Sequence, residues 1–331
     1  MAARRWTMRP KGSNWGEFGD DDQRGRLNLL TPERVLQGVA EVRAGRVFCL
    51  SLPLDYPGGD YHGLQRRPPQ LTPVVRNGRV KYNLQSQARH TDIYCDDCAI
   101  LSTHYSTHWD ALAHVGAVFA AGPGGEAGIR YYNGYRGHDD VGGDPPRARA
   151  LGIENMAQTG VQGRGVMIDL LGAFGPSRRL VGYDDLMHAM ARNQVVVEPG
   201  DIVCLHTGQA AALLAMGGKP DRATMEDAFC HLDGCDERLL RWVADSGLVA
   251  IAADNYAVEA VPPRELREGE AYEGLHELCL FKLGIHLGEL WYLTELNDWL
   301  LANGRSRFLL TAPPLRLPGA VGSPVTPVAT V

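Results

Sequence analysis

Residues 165–171 read GVMIDLL and residues 199–208 read PGDIVCLHTG, and these two stretches carry the clearest fold signal in the chain. Each contains a short apolar run bounded by glycine or proline, which is typical of a buried strand. Residues 248–253 repeat the pattern, and helix-like segments at residues 183–192 and 237–245 lie between these strands. Strands that alternate with helices predict an α/β fold, with a central mixed or barrel-like β-sheet flanked by helices.

The segments outside this core do not divide the chain into separate domains. An N-terminal extension covers about residues 1–45 and contains a helix start signal at residues 31–33. The stretch after Gly59, to about Tyr82, is rich in proline, glycine and arginine and predicts a long surface loop. A proline-rich C-terminal arm is expected at about residues 312–331. One domain is therefore predicted for residues 1–331.

Composition and charge exclude several classes of protein. Hydrophobic residues make up 44% and charged residues 22% of the chain, as in ordinary globular domains. The apolar runs are far shorter than the ~20 residues of a membrane-spanning helix, and the opening residues lack the apolar core of a secretory signal. The net charge is −6 and no block of lysine or arginine occurs, which argues against a nucleic-acid partner. We expect a cytoplasmic protein with a small-molecule substrate.

Cysteine usage and missing motifs argue against a disulfide-rich fold, a nucleotide-binding site and a serine hydrolase. The seven cysteines are an odd number in a long chain, so a disulfide framework is not expected. Cys95 and Cys98 have the spacing of half a zinc site, but no second half follows. The chain also lacks a P-loop, a dinucleotide fingerprint and a G-x-S-x-G elbow.

One dense cluster remains, His104-Tyr-Ser-Thr-His108-Trp-Asp110-Ala-Leu-Ala-His114. Imidazole and carboxylate together suit divalent metals such as zinc or manganese. No single helix or strand presents all four side chains on one face, so the chain must bend within this segment. The alternative interpretation is a half-exposed polar edge, with His114 a satisfied core histidine.

The spacing of this cluster resembles the signature of the cyclase family of metal-dependent hydrolases, which includes kynurenine formamidase, isatin hydrolase and a trans-dienelactone hydrolase. The resemblance covers most of the chain, including the strand-like stretches quoted above. Ser106 and Leu112 depart from the formamidase branch. The long opening and the sequence at residues 132–134 resemble a longer branch of the family, whose substrates are mostly unassigned.

The resemblance implies a divalent metal cofactor, zinc or manganese, with two ions per subunit. The implied ligands are His104, His108, Asp110, His276 and Glu289. Asp110 would bridge the two ions, and His114 would be the catalytic general acid and base. Asp254 and Glu259 are candidates to hydrogen-bond the outer nitrogens of the metal-bound histidines.

Four further residues are candidates for substrate binding. Trp15, Tyr131 and Tyr132 would line an aromatic pocket, and His206 would line the site from the end of its strand. For each of the three aromatic residues the alternative is a place in the core or the anchoring of a loop, and for His206 it is a buried structural role.

The resulting expectation is a metal-dependent hydrolase that opens an amide, imide or lactone bond of a small cyclic or aryl substrate, with arylformamidase-like chemistry. Two alternatives stay open. One is a cyclase or dehydratase, a lyase that uses the same site, and the other is a non-catalytic metal- or ligand-binding protein. The family resemblance also implies a homodimer or homotetramer.

Overall fold

A curled nine-stranded sheet forms the centre of the computed structural model, which describes residues 5–61, 63–85, 87–122, 124–226, 228–264, 266 and 268–331. The first four residues of the N-terminal extension lie outside the described residues. The strands in chain order are β1 (Val47–Cys49), β2 (Gln70–Pro73), β3 (Val75–Arg76), β4 (Arg79–Val80), β5 (Leu84–Gln85), β6 (Ile93–Tyr94), β7 (Asp97–Ile100), β8 (His108–Asp110), β9 (Ala117–Phe119), β10 (Gly128–Arg130), β11 (Val141–Gly142), β12 (Arg147–Ala148), β13 (Gln162–Asp169), β14 (Arg179–Val181), β15 (Ile202–His206), β16 (Cys230–Leu232), β17 (Ala250–Ala253), β18 (His286–Glu289), β19 (Arg307–Thr311), β20 (Gly322–Pro324) and β21 (Val328–Thr330).

Short helices flank the sheet. The α-helices are α1 (Pro32–Val39), α2 (Ile153–Ala157), α3 (Leu170–Phe174), α4 (Tyr183–Arg192), α5 (Gln209–Ala215), α6 (Arg222–Glu226), α7 (Glu237–Asp245), α8 (Gly274–His276) and α9 (Thr294–Ala302). Two 3-10 helices (Gly25–Leu29 and Tyr132–Gly134) and a π-helical turn (Glu277–Leu283) complete the helical elements. No helix among the described residues is both long enough and apolar enough to cross a membrane.

The strand order of the central sheet is β1-β21-β19-β13-β15-β17-β18-β8-β20. Its middle strands β13, β15, β17 and β18 pair in parallel, whereas the pairs on both outer sides are antiparallel. A mixed sheet flanked by helices confirms the predicted α/β fold. The parallel strands are buried on both faces, which explains their nearly continuous apolar sequences.

Each face of the sheet packs against its own hydrophobic core. Along β13, Val166 and Ile168 belong to the larger core, while Met167 between them belongs to the second core. Successive side chains of a strand point to opposite faces, so the two cores lie on opposite sides of the sheet. The N-terminal extension is part of this packing, since Trp15 belongs to the larger core and Leu27 to the second.

The proline-rich tail does not form the expected arm. Residues 322–324 and 328–330 supply β20 and β21, which pair with β8 and with β1 and β19. The strands are only three residues long, and Pro324 lies on the edge strand β20, where a proline disrupts no ladder. The predicted surface loop is not irregular throughout. From residue 70 onward, β2 to β7 form small antiparallel ribbons.

The helix α1 lies directly on β13 through a glycine. A Cβ atom at Gly38 would lie 2.7 Å from the carbonyl carbon and 2.8 Å from the carbonyl oxygen of Gly163. Both atoms belong to the backbone of β13, in the middle of the sheet, so neither can shift without disturbing the pairing of that strand. Gly38 therefore sets the distance between this helix and the sheet.

We expect Gly38→Ala to lower the free energy of unfolding by about 1–3 kcal/mol, the usual cost of overpacking. Helix propensity alone predicts the opposite sign, a gain of about 1 kcal/mol for alanine over glycine. Denaturant unfolding measures the difference, with Gln37→Ala on the exposed side of the same helix as the control. A Gly38→Ala variant as stable as the wild type would contradict the close packing.

Candidate metal centre

The histidine-rich segment bends so that four of its side chains converge. His104 lies in a turn, His108 and Asp110 lie on β8 on either side of Trp109, and His114 follows the next turn. Trp109 packs into the second core, so the two flanking side chains point to the opposite face of the sheet. The turns on both sides of β8 bring the other two imidazoles back to that face.

The register of the sheet adds Glu289 to this group. Glu289 on β18 is the direct partner of His108 on β8, and its Oε2 lies 3.7 Å from Nε2 of His108. On the other side of β8, Asp110 pairs with Gly322 of β20. A Cβ atom at Gly322 would collide with the imidazole of His104. The missing side chain therefore leaves the space that His104 occupies.

A helical turn positions His276. The chain continues from α8 directly into the π-helical turn Glu277–Leu283, a rare form that is frequent at functional sites. Nε2 of His276 lies 3.4 Å from Oε1 of Glu289 and 3.9 Å from Oδ2 of Asp110. The fold thus brings both distant residues, His276 and Glu289, to the segment around Asp110.

Asp110 is a buried carboxylate without a hydrogen bond. Neither of its oxygens has a partner in the structure, and Oδ1 lies 3.4 Å from Nε2 of both His104 and His108. Burying a charge in this way costs several kcal/mol unless a cation compensates it. Nε2 of His104 is likewise buried without a partner. These unpartnered atoms fit a divalent metal.

Among the described residues, two groups of three side chains could each hold a metal ion, because the ligand atoms within each group all lie within 4.8 Å of one another. Asp110 belongs to both, and the sets are His104, Asp110 and His114, and His108, Asp110 and Glu289. Imidazole nitrogen with carboxylate oxygen is a donor set that zinc and manganese both accept. A carboxylate shared by two sets is the arrangement expected of a bridging ligand.

Hydrogen bonds fix the outer nitrogens of two imidazoles. Nδ1 of His108 lies 2.7 Å from the carbonyl oxygen of Ser106, and because a carbonyl only accepts, Nδ1 carries the hydrogen. Nδ1 of His276 lies 2.7 Å from Oε1 of Glu259. The same carboxylate accepts two backbone N–H groups of α8, that of His276 at Oε1 and that of Leu275 at Oε2. Both imidazoles therefore direct Nε2, the nitrogen that would bind a metal, to the centre. Glu259, one of the two predicted partners, occupies this role.

Burial and neighbouring charges set the protonation of the group. Burial lowers the pKa of His104 to about 3. Burial raises the pKa of Asp110, but the imidazoles of His114 and His108 outweigh it and hold the value well below normal. Burial also raises the pKa of Glu289, yet the hydrogen bond from His276 prevails and lowers it to about 2. Ionised carboxylates and a neutral imidazole are the forms that bind metal.

His114 is the member of the group that reaches solvent. Its side chain is 25% exposed, whereas that of Asp110 is fully buried. The ring stacks on His104 at a centroid distance of 4.2 Å, and Nε2 lies 3.9 Å from Oδ1 of Asp110. Burial lowers the pKa of His114 more than the charge of Asp110 raises it. The geometry therefore places His114 both within reach of a metal and at the open side of the centre.

The three aromatic candidates for substrate binding lie in different surroundings. Tyr131 is half-buried, and its ring packs against Gly116, two residues after His114. Trp15 and Tyr132 are fully buried in the larger core. The indole of Trp15 donates a hydrogen bond to the backbone carbonyl of Phe281. Of the three, only Tyr131 is partly exposed.

His206 belongs to a separate buried network. Nδ1 lies 2.9 Å from Oδ1 of Asp169, and Nε2 lies 3.2 Å from Oγ1 of Thr294. Asp254, the second predicted partner for a metal-bound histidine, lies 4.0 Å from His206 and accepts hydrogen bonds from the backbone of Thr207. Both nitrogens of His206 thus have hydrogen-bond partners. These contacts connect the ends of β13 and β15 to α9.

Two residues at the site carry no signal in the sequence. Gly322 lies in a tail that predicts no strand, and Arg66 lies in a polar loop. One guanidinium nitrogen of Arg66 donates a hydrogen bond of 3.0 Å to the carbonyl of His104. Both act through contacts between residues far apart in the chain, so local patterns do not reveal them.

We expect Asp110→Asn, which keeps the shape and removes the charge, to lose most of the bound metal. The metal-free variant should be at least as stable as the metal-free wild type, because an uncompensated buried carboxylate costs free energy. Elemental analysis gives the metal content, and thermal unfolding in chelator gives the stability. Full metal occupancy in the variant would show that Asp110 is not a ligand.

His206→Ala is the matched control, since it also breaks a buried histidine–aspartate pair. We expect this variant to lose about 1–3 kcal/mol of stability through the unpaired Asp169 and to keep its metal content. A loss of metal from both variants would mean that metal binding follows stability and not the ligand set.

Comparison with known proteins agrees with this geometry. The cyclase family, described as putative cyclase, matches residues 50–260. The crystal structure of a novel cyclase is 31% identical and covers 96% of this chain and 97% of its own, with a TM-score of 0.79. Two further structures share the fold. Isatin hydrolase A from Ralstonia solanacearum is 15% identical and covers 86% of this chain and 91% of its own, with a TM-score of 0.55. Isatin hydrolase A from Labrenzia aggregata bound to benzyl benzoate is 15% identical and covers 90% of this chain and 97% of its own, with a TM-score of 0.55. No curated protein matches the sequence. The chain belongs to the cyclase family.

Proposed function

We propose that this chain is a metal-dependent hydrolase that opens an amide, imide or lactone bond of a small cyclic or aryl substrate. The observation that carries the proposal is the buried Asp110 carboxylate, which has no hydrogen bond and lies among imidazoles. Such a group is costly unless a cation binds it, and a histidine open to solvent lies beside it.

The proposed cofactor is a pair of zinc or manganese ions. The residues that would hold them are His104, His108, Asp110, His276 and Glu289. When bound, such ions lower the pKa of water to near 7 and polarise the substrate carbonyl.

The chain's own residues orient the site and handle the proton. Glu259 and the carbonyl of Ser106 hold the imidazoles of His276 and His108 in one orientation. His114, at the open side, is placed to take a proton from the attacking water at Nε2 and to return it to the leaving nitrogen or oxygen. Its lowered pKa keeps the imidazole neutral near pH 7, the form that accepts a proton.

A cavity with tyrosines in its walls is the proposed place for an aryl substrate. Its volume is about 540 Å³, and its walls include Tyr61, Met225, Tyr256 and Tyr272. Burial raises the pKa of Tyr256, and the charges of the Glu289 and Asp110 carboxylates raise it further. A cavity of this size with aromatic walls suits a small ring.

The experiment that tests the proposal combines metal analysis with a substrate panel. Purified protein loaded with zinc or manganese is assayed against N-formyl aryl amines, isatin-like imides and lactones, in water and in oxygen-18 water. Hydrolysis incorporates one oxygen-18 atom into the acyl product. Turnover with loss of water from the substrate would instead indicate a dehydrating lyase, and a metal-loaded protein without turnover across these bond classes would favour a binding protein.

We expect His114→Ala to keep the metal and the fold but to lose about 10²-fold or more in turnover, the usual contribution of a general acid and base. The loss should fall mainly on kcat, because proton transfer matters in the transition state. His188→Ala, an exposed histidine on α4, is the control.

Retained activity in His114→Ala would remove this residue from the mechanism. Loss of metal would make it a ligand, together with His104 and Asp110, and leave the proton transfer to another group. Metal content and steady-state kinetics on the same preparation separate these outcomes.

A further inference from the structure

The N-terminal extension packs against the end of the π-helical turn Glu277–Leu283. Carbonyls in the last turn of a helix have no partner inside the helix and need one from elsewhere. Here the donors for four consecutive carbonyls, those of residues 281–284, come from three residues of the extension, Asn14, Trp15 and Arg26. The extension therefore completes the hydrogen bonding at the end of this turn.

Two buried side chains supply half of these bonds. Nδ2 of Asn14 donates to the carbonyl of Leu283 over 2.9 Å, and Nε1 of Trp15 donates to the carbonyl of Phe281 over 2.8 Å. The backbone N–H of Asn14 donates to the carbonyl of Lys282. The ring of Trp15 also meets the ring of Phe281 edge to face, with 5.2 Å between the centroids. Because both side chains are buried, water is not placed to replace them as donors.

Two glycines allow the backbones of the extension and the turn to meet. The backbone N–H of Arg26 donates to the carbonyl of Gly284 over 2.8 Å. Gly25 and Gly284 both have left-handed backbone conformations, with φ of 58° and 62°. A Cβ atom at Gly25 would collide with the backbone of Gly284. Glycine at residue 25 therefore permits an approach that a larger residue would prevent.

The extension is itself anchored to the body of the protein. The guanidinium of the buried Arg26 donates to the carbonyl of Val243 near the end of α7, over 3.0 Å. Elsewhere, Oδ1 of Asn133 accepts the N–H of Gly16, and Nδ2 of Asn133 donates to the carbonyl of Gly19. Because the extension is fixed on both sides of these contacts, it can hold the turn in one position.

The turn that the extension holds lies between two of the proposed metal ligands. His276 directly precedes the turn, and Glu289 follows it on β18. The held carbonyls begin five residues after His276 and end five residues before Glu289. Glu259 fixes the other end of the helical segment through the N–H groups of Leu275 and His276. The 3.4 Å between Nε2 of His276 and Oε1 of Glu289 therefore depends on where the extension holds the turn.

We propose that the N-terminal extension positions the pair His276 and Glu289 for metal binding, with Asn14 and Trp15 as positioning residues. Both act on the ligands through the carbonyls of the turn, and neither belongs to a candidate ligand group. The inference rests on the proposed function, because it assigns the extension a role in metal binding. It gives Trp15 a role other than the substrate contact expected from the sequence.

Metal affinity tests the proposal. Asn14→Ala and Trp15→Phe each remove one side-chain hydrogen bond to the turn, and Trp15→Phe keeps an aromatic ring in the core. We expect each variant to raise the dissociation constant for Zn²⁺ by about 10-fold, the lower end of the range for groups that support metal ligands. Competition with a chelator, starting from the metal-free full chain, measures this constant.

Two variants serve as matched controls. The described hydrogen bonds of the Asn28 side chain stay inside the extension, to Asp22 and to the carbonyl of Gly25, so Asn28→Ala disturbs the extension away from the turn. His206→Ala, introduced above, loses stability in a separate buried network. Both should leave the dissociation constant for Zn²⁺ unchanged, which separates positioning of the ligands from a general loss of stability.

Bound Co²⁺ provides a spectroscopic signature. Its visible absorption depends on the coordination geometry and not on the stability of the surrounding protein. At saturating Co²⁺ we expect Asn14→Ala and Trp15→Phe to shift the absorption bands relative to the wild type, whereas Asn28→Ala and His206→Ala keep the wild-type spectrum. A purely structural role of the extension predicts the same spectrum for all of them.

Hydrogen exchange of the wild type needs no variant, so a misfolded variant cannot decide the outcome. Coupling between two sites is reciprocal, so an extension that strengthens metal binding must itself be stabilised by the metal. The backbone amides of Asn14 and Arg26 are the ones that donate to the turn. We expect Zn²⁺ to slow their exchange by the same factor of about 10 and to leave the exchange of α4 unchanged.

The outcomes distinguish this inference from the proposed function. If the wild type binds Zn²⁺ and the variants Asn14→Ala and Trp15→Phe bind it equally tightly, the role of the extension is refuted and the metal centre stands. Exchange at Asn14 and Arg26 that does not respond to Zn²⁺ leads to the same conclusion. A wild-type chain that binds neither Zn²⁺ nor Mn²⁺ contradicts the metal centre, and this inference with it.

Discussion

The arrangement of this protein depends on a carboxylate buried without a hydrogen bond. Asp110 lies between His104 and His114 in the chain, on a strand that is paired on both sides within the sheet, so its charge cannot turn toward water. Compensation has to come from groups brought to it. Three elements bring side chains to the same face as Asp110. They are the turns beside β8, the strand β18 through its register, and the helical turn α8.

Much of the fold follows from patterns that the sequence displays locally. The helices at residues 183–192 and 237–245 and the strand at Ile202–His206 match their predicted bounds, because apolar periodicity and capping residues act over short distances. The tail strands β20 and β21 did not show in the sequence. Strands of three residues give no periodicity, and two of the strands with which they pair, β8 and β1, lie more than 200 residues earlier. Pairing across such separations is not encoded locally.

The candidate metal ligands could be predicted from the sequence, whereas the groups that support them could not. The segment around Asp110 stands out by residue type, and the resemblance to the cyclase family supplied His276 and Glu289, which the fold brings beside it. The supports that orient the ligands are a backbone carbonyl at Ser106 and an absent side chain at Gly322. Carbonyls are present at every residue and glycines at many, so neither marks its position. Aromatic residues are equally ambiguous, as the buried Trp15 shows.

The pairing of β8 has a consequence for the order of folding during synthesis. Its two neighbours, β18 and β20, begin 178 and 214 residues after His108 in the chain, at His286 and Gly322. The ribosome therefore releases the histidine-rich segment long before either neighbour exists. Until residue 324 has emerged, β8 has two unpaired edges and Asp110 has no enclosed site. Nascent chains of this topology depend on protection from aggregation for most of their synthesis, and a chain that stops short of the tail cannot enclose Asp110.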